Sequence, residues 1–383
     1  MDPIAHTLFG AGMAEAGLRS KTALATATLV IGANLPDVDA LAMFIDSDTA
    51  LYLRRGWTHG ILALLIWPFL LAGTMLLFQR LLTRFRTRRA RAGGRFHPTH
   101  NGPSMRLKWL LGISFLAVWS HPLLDWMNTY GIRLLMPFSD TWFYGDTLFI
   151  VDPWLWLLSG AGVVLARSRT KLGMSGWVLL GAALTTLVIT AVMVPTAAKV
   201  VWGAGILTIA LVRFSGRTGR VARPIAFSLM MAALLYSAYM FAGARVTAGQ
   251  ARAHLAEEGV RVTEVMSNPL PARTLVRTGV AASETHYYRF RYNWMDRSSF
   301  EFIGGAIPKE EPGPVVEAAL SSPDLKGFRK WMRFPVYEVR ELNDGWLVLI
   351  RDLRYTSPRA ESPSGIGMAV VEVGEELQVR SVR

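Results

Sequence analysis

"WSHPLLDWMNTYG" (residues 119–131) closes an apolar run that begins at Leu107. The reading of this stretch decides the class of protein. His121 and Asp125 stand four residues apart, so on a helix they share one face and can address one ion. The run "LKWLLGISFLAVWS" (107–120) falls short of the ~20 residues that cross a bilayer and needs "HPLL" to complete it. A spanning helix here carries its ionisable pair at one membrane end, where such groups are costly unless paired, hydrated or functional. Two readings stand at this point: a helix end with hydrogen-bonded polar residues, or one corner of a metal site. Pro122 leaves open whether the pair shares a helix face at all.

Apolar segments of similar length recur on either side. They are 61–82, 148–166, 176–194, 197–212 and 224–243. Across 383 residues, 51% are hydrophobic and 13 are Trp, and mean hydropathy is +0.29, which excludes a disordered chain and tells against a soluble globular one. The net charge of +13 first suggests nucleic acid. Its distribution says otherwise. Residues 84–108 carry eight Lys and Arg, 167–171 three and 213–223 four, with no carboxylate in any of them. Residues 36–58 and 122–152 carry four Asp each. Basic and acidic loops alternate along the chain as the positive-inside rule requires, so the charge records topology and nucleic acid is not an expected partner. With no cysteine, a disulfide, a Cys-type zinc site and a thiol nucleophile are all excluded. "MDPIAHTLFG" lacks the basic start and small-residue cleavage site of a secretory signal.

"MDP" reads as a helix start, with Asp2 as cap and Pro3 at the first helical position. A helix to about Gly17, a turn at "LRSK" and a second helix to Pro36 make a short hairpin that spans or only enters the membrane. With the 84–108 loop in the cytoplasm, the 61–82 helix begins outside near His59 and the 107–124 helix ends outside at His121 and Asp125. The hairpin tip, with Arg19 and Lys21, points inward. Its open end, with His6, Asp37 and Asp39, then lies outside. Six candidate ligands thus converge on one membrane face: His6, Asp37, Asp39, His59, His121 and Asp125.

Each has a plainer reading. Asp37 and Asp39 in "ANLPDVDAL" face one way if the chain after Pro36 is extended, but Asp is also common in turns. His6, in "DPIAHT", is an i, i+4 partner of Asp2 or a structural histidine. "RRGWTHG" places His59 just before a span, with Thr58 as a helix cap. Arg54 and Arg55 there form an anion-binding fork or snorkel at the interface. His97 and His100 in "RFHPTH" lie in the basic loop, on the wrong face, and are set aside with His254 and His286. Three histidines and three carboxylates suit zinc, manganese or iron rather than calcium. Six donors exceed one tetrahedral zinc and are about right for two ions sharing a bridging carboxylate, so one or two ions are expected.

From about residue 245 the composition changes. "THYYRFRYNW", "SFEFIGGAI", "WLVLIRDLRYT" and "GMAVVEV" read as strands, "NDGW" (343–346) as an Asp-Gly hairpin turn, and 313–332 as a helix. The expected fold class is a polytopic α-helical membrane domain followed by a smaller β-rich (α+β) extracytoplasmic domain. The expected domains are a metal-site membrane domain (1–165), further transmembrane helices (166–244) and a soluble β-rich domain (245–383).

"MDPIAHTLFGAGMAEAGL", "ANLPDVDAL", "RRGWTHGILAL" and "SHPLLDWMNTYGIRLLMPFSDTWFYGDTLFIVDP" together resemble the membrane-bound predicted metal-dependent hydrolases of bacteria, which include LexA-regulated inner-membrane proteins. The resemblance covers about residues 1–165. It implies a bacterial inner-membrane protein with the same six residues in its site. The ligand order is also similar to zinc phospholipase C and its single-strand nuclease relatives, though the further His and Glu ligands of a third metal have no counterpart here; Asp140, Asp146 and Asp152 are the nearby carboxylates.

The reading that follows is a membrane hydrolase acting on a phosphoester of a lipid or envelope molecule. Metal-activated water attacks, Asp37, Asp39 or Asp125 serves as general base, and Arg54 or Arg55 holds the anion. A non-enzymatic envelope sensor or scaffold is the main rival. A transporter would need ionisable groups or broken helices near the midplane, and 176–194 and 224–243 carry no Asp, Glu, Lys, Arg or His.

Overall fold

The computed structural model describes residues 1–91, 103–216, 218–296, 300–356 and 366–382. The pair His97 and His100 lies outside the described residues. The chain divides into two compact units: Met1–Asp37, Arg55–Ala242 and Pro269–Thr274 form the first, and Val38–Arg54, Gly243–Asn268 and Leu275–Arg383 the second.

The first unit is helical. Helix α1 (Pro3–Glu15) begins as the sequence dictates: Asp2 accepts the N–H groups of Ile4 and Ala5, both at 3.0 Å, and Pro3 opens the helix. Gly17, at φ 143°, turns the chain into a short 3-10 turn (Leu18–Ser20) and on to α2 (Ala25–Gly32). After the crossover described below come α4 (Ile61–Arg91), α5 (Leu107–Trp126), α6 (Pro153–Arg167), α7 (Lys171–Thr190), α8 (Thr196–Phe214) and α9 (Thr218–Glu257), which belongs to this unit as far as Ala242. Five segments are long and apolar enough to cross a membrane: Ile61–Arg89, Leu107–Trp126, Lys171–Thr190, Thr196–Phe214 and Val221–Glu257. Ala25–Gly32 together with Leu35–Phe44 forms a sixth if that bent pair counts as one broken span.

The expected span at 148–166 takes a different form. Asp152 caps α6 through the N–H groups of Trp154 and Leu155, and Pro153 fixes the start, so the helix has only 15 residues. At 1.5 Å per residue it is about 22 Å long, shorter than a typical span, yet it still carries the chain from the Asp2 end of the unit to the basic end at Arg167. The residues before it fold back onto the end of α5, where Gly145 N–H donates to Trp126 O and Leu148 N–H to Met127 O. Leu148 and Leu155 are fully buried. Gly162 lets α6 meet α9, because a Cβ there would lie 2.7 Å from Ala226 Cα.

α1 and α6 run side by side in the same direction. At their starts, Trp156 donates to Asp2, and Tyr236 to Asp152. At their ends, Glu15 receives both Arg19 and Arg167, and Arg213 donates to Ser168 O. The unit therefore has a basic end and, opposite, the end that carries His6.

The second unit holds two sheets. One orders β1 (Glu264–Pro269), β2 (Val276–Ala282), β3 (His286–Asn293) and β4 (Phe300–Phe302), with β5 (Ile307–Pro308) also on β3. The other orders β6 (Pro335–Leu342), β7 (Gly345–Asp352), β8 (Met368–Gly374) and β9 (Val379–Val382). In the β6–β7 hairpin Leu342 pairs with Gly345, so the two loop residues are Asn343 and Asp344 rather than the expected Asp-Gly. Gly345 instead opens β7 at φ 151°, where a Cβ would lie 2.2 Å from Val373 O. The helix expected over 313–332 is broken at Pro323 into α10 (Pro314–Leu320), a 3-10 turn and α11 (Lys326–Trp331).

The crossover segment Val38–Arg54 belongs to this unit and carries α3 (Ser47–Leu53). Asp48 accepts the N–H groups of Gly327 and Phe328 at the start of α11, each at 2.8 Å, and Tyr52 lies under Lys326 at 4.3 Å.

Candidate metal centre

Pro122 does not separate His121 from Asp125. α5 runs unbroken through it, and His121 Nε2 lies 3.4 Å from Asp125 Oδ2. Both side chains are fully buried. His59 enters from the turn before α4. Its N–H donates to Gly56 O, the Ile61 N–H to Leu134 O, and the Trp67 ring N–H to Thr58 O. Thr58 itself faces His59 Nδ1 at 2.9 Å. The approach of the 134–136 loop requires a glycine at 60, since a Cβ there would sit 2.2 Å from Met136 O.

Asp37 comes from a 3-10 helix (Leu35–Phe44), not from extended chain. Pro36 is tolerated in a first helical turn, and Asp37 N–H returns to Asn34 O at 3.1 Å. This corrects the expectation that Asp37 and Asp39 face one way. At three residues per turn they diverge by about 120°. Asp37 belongs to the first unit and joins the cluster, whereas Asp39 belongs to the second and takes Arg54 Nη1 at 2.7 Å.

Asp37, His59, His121 and Asp125 form the one group of metal-ligand type among the described residues, with all four donor atoms within 4.8 Å of one another. His59 and His121 present Nε2 to each other at 3.0 Å. Asp125 Oδ2 lies 3.3 Å from His59 Nε2, and Asp37 Oδ1 lies 3.9 Å and 3.7 Å from the two rings. Zinc bonds of 2.0–2.1 Å in a tetrahedron put neighbouring donors roughly 3.3 Å apart, and the observed spacings bracket that length.

Protonation supports the fit. His121 Nδ1 donates to Ala33 O at 2.7 Å, so in the neutral ring Nε2 is the lone-pair atom facing the cluster. Two imidazoles and two carboxylates converging in one largely buried cluster favour a cation between them. The cluster can therefore hold a metal ion.

Asp125 links this group to the others. Its Oδ1 receives the Met1 amino group and faces His6 Nε2 at 3.2 Å, while Oδ2 faces Arg55 Nε at 2.9 Å. His6 stacks on His121 with ring centroids 3.9 Å apart. Arg55, expected as an anion-binding fork, is buried and directed inward. It donates to Asn128 Oδ1 at 2.9 Å and Gly131 O at 3.2 Å and lies over Tyr130 at 4.5 Å. Asn128 also accepts the Tyr130 N–H, closing an Asx turn. The Asn in "MNTYG" is the sequence signal for that turn, and sequence reasoning passed over it. Asp152 is the cap of α6, Asp140 faces Arg133 at 3.6 Å, and His254 stacks on Phe300.

The Ala33 carbonyl reaches His121 because α2 packs tightly on α5. A Cβ at Gly32 would lie 2.6 Å from Ala117 Cβ and 2.9 Å from Leu71 Cδ2. Gly32→Ala is expected to destabilise the protein by about 1–3 kcal/mol through overpacking. It should also weaken ion binding by roughly 10-fold or more through the displaced carbonyl. Thermal unfolding in detergent and chelator competition measure the two effects. Parent-like ion affinity would show that Ala33 does not orient His121.

Residues 1–246 match the family described as YdjM inner membrane protein. The chain belongs to that family. The match contains all four cluster residues and ends inside α9, before both sheets. The uncharacterized protein YfhP of Bacillus subtilis (strain 168) is 25% identical over 175 residues, covering 43% of this chain and 46% of that protein. The chain thus aligns with under half the length of this relative. No solved structure matches. Family and spans together place the protein in a membrane.

Proposed function

We propose that this YdjM-family protein is a metal-dependent hydrolase whose site opens at one membrane face and whose substrate is a phosphoester of a lipid or envelope molecule. The single observation that carries the reading is the four-donor cluster of Asp37, His59, His121 and Asp125 at tetrahedral spacing. Zinc suits two imidazoles and two carboxylates, with manganese or iron as alternatives. A second ion would share Asp125 and draw on His6. When bound, such an ion polarises a phosphoryl oxygen and makes water acidic enough to react at neutral pH.

The chain's own residues divide the remaining work. His59, His121 and Asp125 are fully buried, whereas Asp37 is 14% exposed. Substrate therefore approaches from the Asp37 side. Asp37 would take the proton of the attacking water as the new P–O bond forms and return it to the ester oxygen as the old P–O bond breaks. Arg55 holds Asp125 in place, a positioning role. The basic end of the helical unit, opposite His6, supports a cytoplasmic placement of Arg19, Arg167 and Arg213 and an extracytoplasmic site and β-rich unit.

One observation favours a rival. Four protein donors close a tetrahedron, as in structural zinc sites, whereas catalytic ones keep a position open. On that reading the ion braces a non-enzymatic envelope scaffold. The deciding experiment offers zinc-loaded protein in detergent a panel of lipid phosphomonoesters and phosphodiesters. Turnover is expected for the parent and a loss of about 10²–10⁴-fold for Asp37→Asn at saturating zinc. Ion-loaded parent that hydrolyses none of the panel leaves the scaffold reading standing.

A further inference from the structure

The helical unit also holds a lateral groove, whose wall on α5 reaches Ser120 and Leu123, on either side of His121. α1, α5 and α9 enclose this groove of about 730 Å³, walled by Phe9 and Met13, by Phe115 and Trp119, and by Met230 and Leu234. It opens sideways toward the bilayer: Trp119 is 52% exposed and Leu234 46%. From Arg223 to Leu234 it follows α9 for 11 residues, about 16 Å at 1.5 Å per residue. That is about half of a ~30 Å hydrocarbon core, the depth of one leaflet. Ser120 is the one polar wall residue outside the mouth, and its hydroxyl is committed to Ala117 O at 2.7 Å.

The mouth differs in character. Lys21 and Arg223 border it. Among the described residues neither has a carboxylate partner, because the nearby Glu15 is already held by Arg19 and Arg167. Gly17 brings Arg223 in: at φ 143° it has no Cβ, and one built there would lie 3.1 Å from Arg223 Nη2. Lys21 sits over Trp109 at 4.8 Å, a partly exposed ring at the start of α5. A chain-wide apolar slot one leaflet deep, closed at one end by two cations, matches one ligand class.

We propose that this groove is a binding site for an anionic phospholipid, its acyl chain between α1, α5 and α9 and its phosphate between Lys21 and Arg223. Basic pockets between membrane helices recognise lipid headgroups in this way.

Native mass spectrometry of the full chain in detergent, titrated with dioleoyl phosphatidylglycerol or dioleoyl phosphatidylcholine, tests it. The parent is expected to prefer the anionic lipid by about 30-fold, two basic residues' worth. Lys21→Gln/Arg223→Gln should reduce that preference to within about 3-fold, while Lys21→Arg/Arg223→Lys should keep it. Met231→Trp, which fills the groove, should weaken both lipids. Inorganic phosphate should not displace the lipid at equal concentration. Equal affinity of the parent for the two lipids, or displacement by free phosphate alone, would overturn the proposal, and neither result needs a variant to fold.

Discussion

Full-length protein purified in detergent without chelator is expected to carry zinc, and His59→Gln to bind it on the order of 100-fold more weakly or worse. The expectation rests on geometry that has few other purposes. His59 and His121 bring Nε2 to Nε2 at 3.0 Å inside a membrane helix bundle, and Ala33 O fixes the His121 proton on the far nitrogen. Glutamine at 59 keeps volume and polarity but removes the imidazole lone pair. Asp39→Ala and His254→Ala are the controls. Asp39 is bound to Arg54, and His254 lies on the second unit, so both variants should keep the parent's zinc. His6→Gln separates one ion from two: it halves the stoichiometry if Asp125 bridges a pair, and leaves it unchanged if one ion sits among the four donors. Elemental analysis together with chelator competition reads all of these. A parent free of divalent metal, or a His59→Gln variant with parental content, removes the basis of the proposed chemistry.

Much of this site could be read in the sequence because its determinants are local. The His121–Asp125 spacing, the Asp2–Pro3 helix start and the position of His59 before a span are all short-range patterns, and each holds in the structure. The alternation of basic and acidic loops brought residues far apart in the chain to one face. What escaped the sequence is long-range or depends on the backbone. The 3-10 helix at Leu35–Phe44 separates Asp37 from Asp39, and a proline rule applied one residue at a time does not foresee it. The segment 148–166 has the composition of a span, but the Asp152–Pro153 cap shortens it to 15 residues. Strands β1, β2 and β9 carry little alternation of their own and are set by their neighbours in the sheet. Nor does composition reveal that Ala33 supplies a carbonyl to His121. That contact depends on Gly32 passing Ala117 at close range.

Arg54 and Arg55 looked alike in the sequence, and replacing them is expected to separate them sharply. Arg54 ends α3, lies 20% exposed and pairs with Asp39 at 2.7 Å. Arg55 follows at φ 52°, a left-handed backbone that reverses the side-chain direction and sends the guanidinium into the protein. There it meets Asp125 at 2.9 Å, Asn128 Oδ1 and Gly131 O, all away from solvent. Arg55→Met removes the charge that faces a fully buried carboxylate, and the expected cost is about 3–5 kcal/mol, against a smaller loss for Arg54→Met, whose own side chain is partly exposed. Arg55→Lys keeps the charge but not the fork that serves Asp125 and the 128–131 turn together, so it should recover only part of the loss. The deficit should shrink when zinc is present, because an ion beside Asp125 supplies positive charge in place of the guanidinium. Chemical unfolding in detergent, with and without zinc, measures all three variants. Equal costs for Arg54→Met and Arg55→Met would mean that Asp125 does not depend on Arg55. A zinc-independent cost for Arg55→Met would mean that Asp125 is not an ion ligand. Arg55 then would hold the 128–131 turn rather than the centre.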